Sequence, residues 1–438
     1  MGREKPWGLI FLLFVLDQGA IADHIEIPDE KSVETLRLAP LISEALEKNA
    51  ELKATEQAIV IKDAEIGPSG SYDDPVLGFE MMNYPIDSFA NNRFGMTGNQ
   101  VSMSQKIPFP GKLTKKQNAI RFESEAQKEE LRQKRLEITK QVKLIYFELF
   151  AVYRKFDTLK EQRALLDQLI VVTRNNYALG KRSQAEVLNF QVESASLLDQ
   201  ELTQEKLIRS KFGEINHLLG RSDHQGYLYG RPESIQKTPI KFSDLLEKKL
   251  FEMAFSQGPM AKERLAMLKA SEERLAYSNL NYLPDLEFKL GYTFRKPSPG
   301  DPGTDFASAM VGVSIPLWAG SKQTEENRGA AANKVRNEAL LQEERNRIAH
   351  MIHVLFAELD EANKRVDLFE GGVLPLTRQA VAAGRSAYLT GKLDYATLLS
   401  SINKRFQMEV ASTEALAIRE SKIAEIEAMI GSSLGGAR

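Results

Sequence analysis

The sequence predicts a mainly α-helical protein with a small β part. Long antiparallel helices combine with four strands that cross a membrane. Three observations carry that reading. Between Gly111 and Gly180 the chain has no Pro and no Gly, and strong helix formers dominate. At ~1.5 Å per residue one unbroken helix there is about 100 Å long, too long for an ordinary globular core. Next, the chain repeats itself. Tyr177-Ala-Leu-Gly180-Lys181 returns 211 positions later as Tyr388-Leu-Thr-Gly391-Lys392. Ser210-Lys211 returns as Ser421-Lys422, Glu214-Ile215 as Glu425-Ile426, and Gly220 as Gly431. A consistent offset marks a duplication, and repeats are to be sought before other features. Finally, each copy holds two short segments of period-two alternation, the pattern of half-exposed strands.

The N-terminus carries Arg3 and Lys5, an apolar run from Trp7 to Leu16, and small residues at Ala20-Ile21-Ala22. Residues 1–22 read as a secretory signal peptide; the alternative is an apolar N-terminus of a cytosolic protein. The run is too short to span a bilayer as a helix. If the protein spans a membrane, it does so with strands.

The first repeat covers residues 23–220. Residues 23–35 read as irregular, and Leu36–Ile66 as a helix ended by Gly67-Pro68. Strands are expected at about 76–84 and 97–107, where Val101, Met103 and Ile107 alternate with Ser102, Ser104 and Lys106. The long helix, 112–179, shows helical spacing at Ile138, Val142, Ile145, Leu149 and Val152. A return helix follows over 183–219. Residues 221–242, with Gly and Pro, read as a linker or equatorial segment.

The second repeat covers 243–431. Helix is expected at Ser243–Phe255, with a break at Gly258-Pro259, then helix to Tyr282. Strands at about 286–295 and 306–316 alternate more cleanly: Leu286, Phe288, Leu290, Tyr292 and Phe294 face one way, Glu287, Lys289, Gly291, Thr293 and Arg295 the other. A second long helix spans 321–390 with a kink near Gly371–Pro375. A return helix, 394–430, and a tail, 432–438, complete the chain.

Ten-residue alternating segments suit transmembrane β-barrel strands, and equally a soluble hairpin with one buried face. The signal peptide and the aromatics near strand ends (Tyr84, Tyr292, Phe294, Phe306, Trp318) favour the membrane. Four strands cannot close a barrel, and an open edge cannot sit in lipid. The barrel must be shared between copies: two give eight strands, three give twelve.

Composition excludes several functions. The net charge of −2, from 58 Lys and Arg against 60 Asp and Glu, gives no basic footprint for nucleic acid. The absence of cysteine excludes disulfides, thiolate metal sites and cysteine nucleophiles. No catalytic constellation is visible, so the chain reads as neither an enzyme nor a cofactor binder. His350 and His353 share a helix face, but two histidines alone are a weak metal signal. Met81, Met82, Met96 and Met103 cluster in sequence around the first hairpin; thioethers suit Cu(I), and lipid-facing or core methionine is the plainer reading.

Taken in order, these features resemble the TolC family of outer-membrane efflux channels over essentially the whole mature chain. The carriers are the duplication, the hairpins ending in Ile107-Pro-Phe-Pro-Gly111 and Ile315-Pro-Leu-Trp-Ala-Gly320, the tips around Gly180 and Gly391, and Val373-Leu-Pro375-Leu376. The resemblance implies a homotrimer with a twelve-stranded barrel in the outer membrane of a Gram-negative bacterium and a helical tunnel through the periplasm. It implies a passive duct that receives cargo through a periplasmic adaptor from an inner-membrane pump, for which the RND type is the candidate. The adaptor contacts carried over are Leu179, Gly180 and Lys181 in one tip, and Thr390, Gly391 and Lys392 in the other. Those glycines also suit simple helix termination, and both roles are compatible.

The best-known member has an acidic ring six and nine residues after the second turn glycine. Here those positions are Thr397 and Ser400, and the first copy has Glu186 and Asn189. Glu186 with Asp394 is the available alternative for a tunnel constriction. The sequence around Asn83-Tyr-Pro85-Ile-Asp87 and Ile107–Lys112 looks most like channels paired with heavy-metal pumps. Drug or toxin efflux, or a type I secretion channel, is the alternative. From another class, a periplasmic coiled-coil adaptor or scaffold also has long hairpins, but with one hairpin rather than two.

Overall fold

The computed structural model describes residues 34–221, 228–240 and 246–435. The signal-peptide reading lies outside these residues. Strand β1 (Glu34–Leu36) leads into helices α1 (Leu38–Lys48) and α2 (Ala50–Ser69). The expected single helix over Leu36–Ile66 is thus divided. Asn49 leaves the helical region, and its side chain caps α2 by accepting from the Glu51 and Leu52 amides at 2.9 and 3.2 Å. The same side chain donates to Leu218 O, at the far end of the repeat.

Strands β2 (Val76–Met82) and β3 (Gly98–Ile107) precede α3 (Lys112–Ala178), a single helix of 67 residues. Helix α4 (Gln184–Leu218) runs back along it. The stretch after it is more than a linker. Strand β4 (Gly230–Pro232) pairs in parallel with β1, and the buried Asn216 side chain holds Leu228 through both its amide and carbonyl.

Helices α5 (Glu247–Gln257) and α6 (Pro259–Leu280) break at Gly258, where an added Cβ would lie 2.7 Å from Met429 O. Strands β5 (Asp285–Arg295) and β6 (Phe306–Ser314) follow. The second long helical stretch is α7 (Gln323–Leu368), one π-helical turn (Phe369–Val373) and α8 (Leu374–Leu389). Gly371, Gly372 and Pro375 account for the interruption: two glycines weaken the helix, and Pro375 cannot donate to the preceding turn. Helix α9 (Tyr395–Ile430) closes the unit.

Two apolar cores sit at corresponding places. Ile138, Val142 and Leu149 of α3 pack with Leu41, Leu52, Ile208 and Ile215 in one. Ile348, Ile352 and Leu359 of α7 pack with Leu250, Ile423 and Ile426 in the other. Corresponding lysines bridge helices in both. Lys211 reaches Glu148 and Glu214 at 2.7 and 2.8 Å; Lys422 reaches Glu358 and Glu425 at 2.9 and 3.0 Å. Burial opposes each charge, but the carboxylate hydrogen bonds outweigh it and hold both lysines above their ordinary range.

The four strands form one antiparallel sheet in the order β2-β3-β5-β6. Its two faces differ. The rows Phe79–Val101–Tyr292–Ala307 and Leu77–Met103–Leu290–Ala309 lie on one face and are mostly exposed. The other face carries Gly78, Ser102, Gly291 and Ser308, with Gln100 bridging Thr293 and Ser308 at 3.3 and 3.2 Å. An apolar outside and a polar inside are what a membrane barrel requires. No described helix is long and apolar enough to cross a membrane.

Candidate functional site: the paired helical tips

The two helix–turn–helix tips use one backbone design. At the first, Gly180 adopts φ +70°, its amide donates to Tyr177 O at 2.9 Å, and the Lys181 amide donates to Asn176 O at 2.9 Å. At the second, Gly391 adopts φ +76°, its amide donates to Tyr388 O at 3.0 Å, and the Lys392 amide donates to Ala387 O at 2.9 Å. This is the left-handed glycine closure of a helix C-terminus. A Cβ added at either glycine meets nothing within 4 Å. The glycines therefore serve backbone conformation, and the space above them is open. Leu179, Lys181, Thr390 and Lys392 are also exposed.

Each return helix starts with a side-chain cap. Ser183 accepts from the Glu186 amide at 3.3 Å, and Asp394 from the Thr397 amide at 2.9 Å. The Thr397 hydroxyl also donates to Asp394 at 2.7 Å. That hydroxyl bond first, and the backbone bond second, hold the Asp394 carboxyl below its ordinary range.

Glu186 has a different setting. Its carboxylate lies 3.4 Å from the Tyr388 hydroxyl and 3.7 Å from the Arg182 guanidinium. Arg182 stacks over the Tyr388 ring at 4.4 Å and donates to Tyr388 O at 3.1 Å. The Tyr388 hydroxyl also meets the buried Thr173 hydroxyl at 3.0 Å. Burial pushes the phenol up, partly offset by the Thr173 bond. This network ties α8 to α3 and α4, over an apolar cluster that includes Leu166, Phe190, Leu398 and Phe406. Glu186 and Asp394 are thus each engaged locally and are not joined to one another. Sequence reading missed Tyr388 and Arg182 as a unit, although Tyr388 opens the repeated tip motif; nothing local marks which helix a phenol will meet.

Deeper in the hairpins a polar relay joins three helices. Gln162 donates to Asn403 at 2.8 Å, and Asn403 donates to Glu193 at 3.1 Å. It borders a cavity of about 390 Å³ between α3, α4 and α9. Nothing there resembles a catalytic arrangement.

The metal-ligand candidates do not converge. His353 Nδ1 is 3.0 Å from Glu247, and His350 is exposed. Met81 and Met103 belong to the exposed apolar face of the sheet, while Met82 lies near Thr293 on the other. Among the described residues no group of three His, Asp or Glu is placed to hold a metal.

Comparison with known proteins fits this architecture. Residues 41–221 match the family model described as Outer membrane efflux protein. No curated protein matches the chain. The outer-membrane channel OprN superposes with a TM-score of 0.75 at 15% identity, covering 91% of each chain. The outer membrane protein VceC of Vibrio cholerae gives 0.75 at 16% identity, covering 90% of this chain and 96% of its own. The open state of the Neisseria gonorrhoeae MtrE outer membrane channel gives 0.69 at 14% identity, covering 91% and 89%. Residues 41–221 are thus similar to the outer membrane efflux proteins, and over nine-tenths of its length the chain has the fold of the outer-membrane channels OprN and VceC.

Proposed function

We propose that this chain is one subunit of a trimeric exit duct in the outer membrane, fed by an inner-membrane pump through a periplasmic adaptor. One observation carries the reading: a two-faced sheet with bare edges at β2 and β6 stands on helices about 100 Å long. The sheet is apolar outward, so its edges need partners before it enters lipid. Three chains supply twelve strands, and β6 runs antiparallel to a neighbour's β2, as closure of an even-stranded barrel requires.

The adaptor docks at the tips, through Leu179, Gly180 and Lys181 and through Thr390, Gly391 and Lys392. Open space over both glycines supports this, because a helix can approach the backbone there. Glu186 and Asp394, beside the tips, supply the carboxylates for a narrow acidic mouth. Heavy-metal cations are the cargo, on the likeness of the Asn83–Asp87 and Ile107–Lys112 stretches to channels of metal exporters. The duct itself binds no cofactor, and the pump provides the energy.

Two measurements test this. Light scattering of detergent-extracted protein, corrected for detergent, gives a trimer mass from outer membranes; a soluble periplasmic monomer refutes the duct. Deletion of the gene sensitises cells to heavy-metal salts; sensitivity to drugs alone refutes the metal cargo and leaves the duct.

A further inference from the structure

Within one chain, the two hairpins are latched at the base of the sheet. Asp285, at the start of β5, accepts from the Phe109 amide at 2.8 Å and from Lys112 Nζ at 2.7 Å. Lys112 is almost fully buried and donates also to Leu283 O at 2.9 Å. The end of β3 and the first residue of α3 are thereby fastened to the neighbouring hairpin.

The repeat locates the counterparts of these groups. Ile107 corresponds to Ile315, 208 positions on, so Phe109 corresponds to Leu317. The observed hairpin registers then fix the partner strand. Leu77 pairs with Met103; the counterpart of Met103 is Val311, which pairs with Phe288, 211 positions after Leu77. By that same shift the counterpart of Asp285 is Asp74. Lys112 follows Gly111 and opens α3; Gly320 is followed by Ser321, and the first cation at the entrance of α7 is Lys322, one residue further on.

Within the chain these counterparts stand apart from one another, on opposite edges of the sheet. Asp74 and Lys322 are exposed, and among the described residues no ion pair holds either charge. Leu317 is 79% exposed and Ile315 70%, whereas Phe109 and Ile107 are half-buried. The second corner is therefore an uncovered version of the first.

We propose that Asp74 of one copy latches the Leu317–Lys322 corner of the next copy, repeating between subunits the Asp285 latch found within each. This rests on the shared-barrel reading above and adds to it the register of the joint. Applying the β3–β5 register to the β6–β2 seam sets Val313 opposite the next copy's Leu77, Val311 opposite Phe79 and Ala309 opposite Met81. Leu77, Phe79 and Met81 of β2 and Ala309, Val311 and Val313 of β6 then fall together on the outward face. A slip of one residue would turn that set inward.

The native chain lacks cysteine, so an introduced pair is the only one present. Leu77→Cys/Val313→Cys, oxidised in membranes, gives a covalent ladder that ends at the oligomer's size. Leu77→Cys/Val311→Cys, two residues out of register, does not. Asp74→Lys and Lys322→Asp each speed dissociation of the oligomer in SDS about tenfold, the weight of one charged hydrogen bond. The combined exchange returns it to within about threefold of the native rate. Asp74→Asn provides a milder variant should the reversals fail to assemble; it also speeds dissociation. Cross-linking of the slipped pair, or additive losses in the exchange, overturns the latch. An intact native oligomer without the predicted cross-link overturns the latch and leaves the shared barrel standing. A native monomer overturns both.

Discussion

Replacing Tyr388 by Phe isolates the contribution of the hydrogen bonds between the two hairpins near the tips. The ring stays, so its packing on Phe190 and under Arg182 is kept. Only the hydroxyl leaves. Thr173, fully buried, then loses its 3.0 Å partner. A buried hydroxyl left unpaired costs about 1–3 kcal/mol. The 3.4 Å contact to Glu186 adds little, because that carboxylate is partly exposed and can turn to water. The expected loss is about 1.5 kcal/mol, or roughly tenfold in local opening. Amide hydrogen exchange reads it directly. The amides at the end of α8 and in the last turns of α3 exchange about tenfold faster, while those of β3 and β5 do not change. Thr173→Val on top of Tyr388→Phe removes both partners at nearly constant shape, and protection returns to within about 0.5 kcal/mol of the native value. Unchanged exchange in the single variant, or a double variant worse than either single one, refutes the reasoning.

Three further outcomes follow from other parts of the molecule. Arg419, 2% exposed, pairs with the buried Glu420 and reaches Asn363 and Thr238 O, so Arg419→Met strands a buried carboxylate and costs about 3–5 kcal/mol in thermal unfolding. Burial first, then Glu130 and Glu344, pushes the Glu263 carboxyl above its ordinary range, so its ionised form is disfavoured in the fold. The group therefore favours the fold at low pH and loses that contribution as pH rises through its raised pKa; Glu263→Gln raises the melting temperature at pH 7, and the gain shrinks below about pH 4. Gly180→Ala and Gly391→Ala meet no steric obstacle but force alanine into a left-handed conformation, costing about 1 kcal/mol each at the tips, and asparagine at either position costs less in the same melting assay.

The sequence alone determined the elements whose cause is local. Sixty-seven residues without Gly or Pro can only be a long helix, and α3 is one. Period-two alternation placed the four strands within two residues of their observed bounds, because a pleated strand turns successive side chains to opposite faces. Gly180 and Gly391 announced the tips because a chain reversing after a helix needs a left-handed residue. Tertiary structure decided what joins distant parts. No local signal told that β3 would pair with β5, that β4 inside an apparent linker would pair with β1, or that Asn49 would cut the first helix while reaching Leu218. Glu186 shows the same limit: its position in a repeated motif was legible, but its engagement with Tyr388 and Arg182 depends on how two hairpins cross. Propensity and period act over a few residues, whereas register and side-chain partnership are fixed only when the whole apolar surface is packed at once.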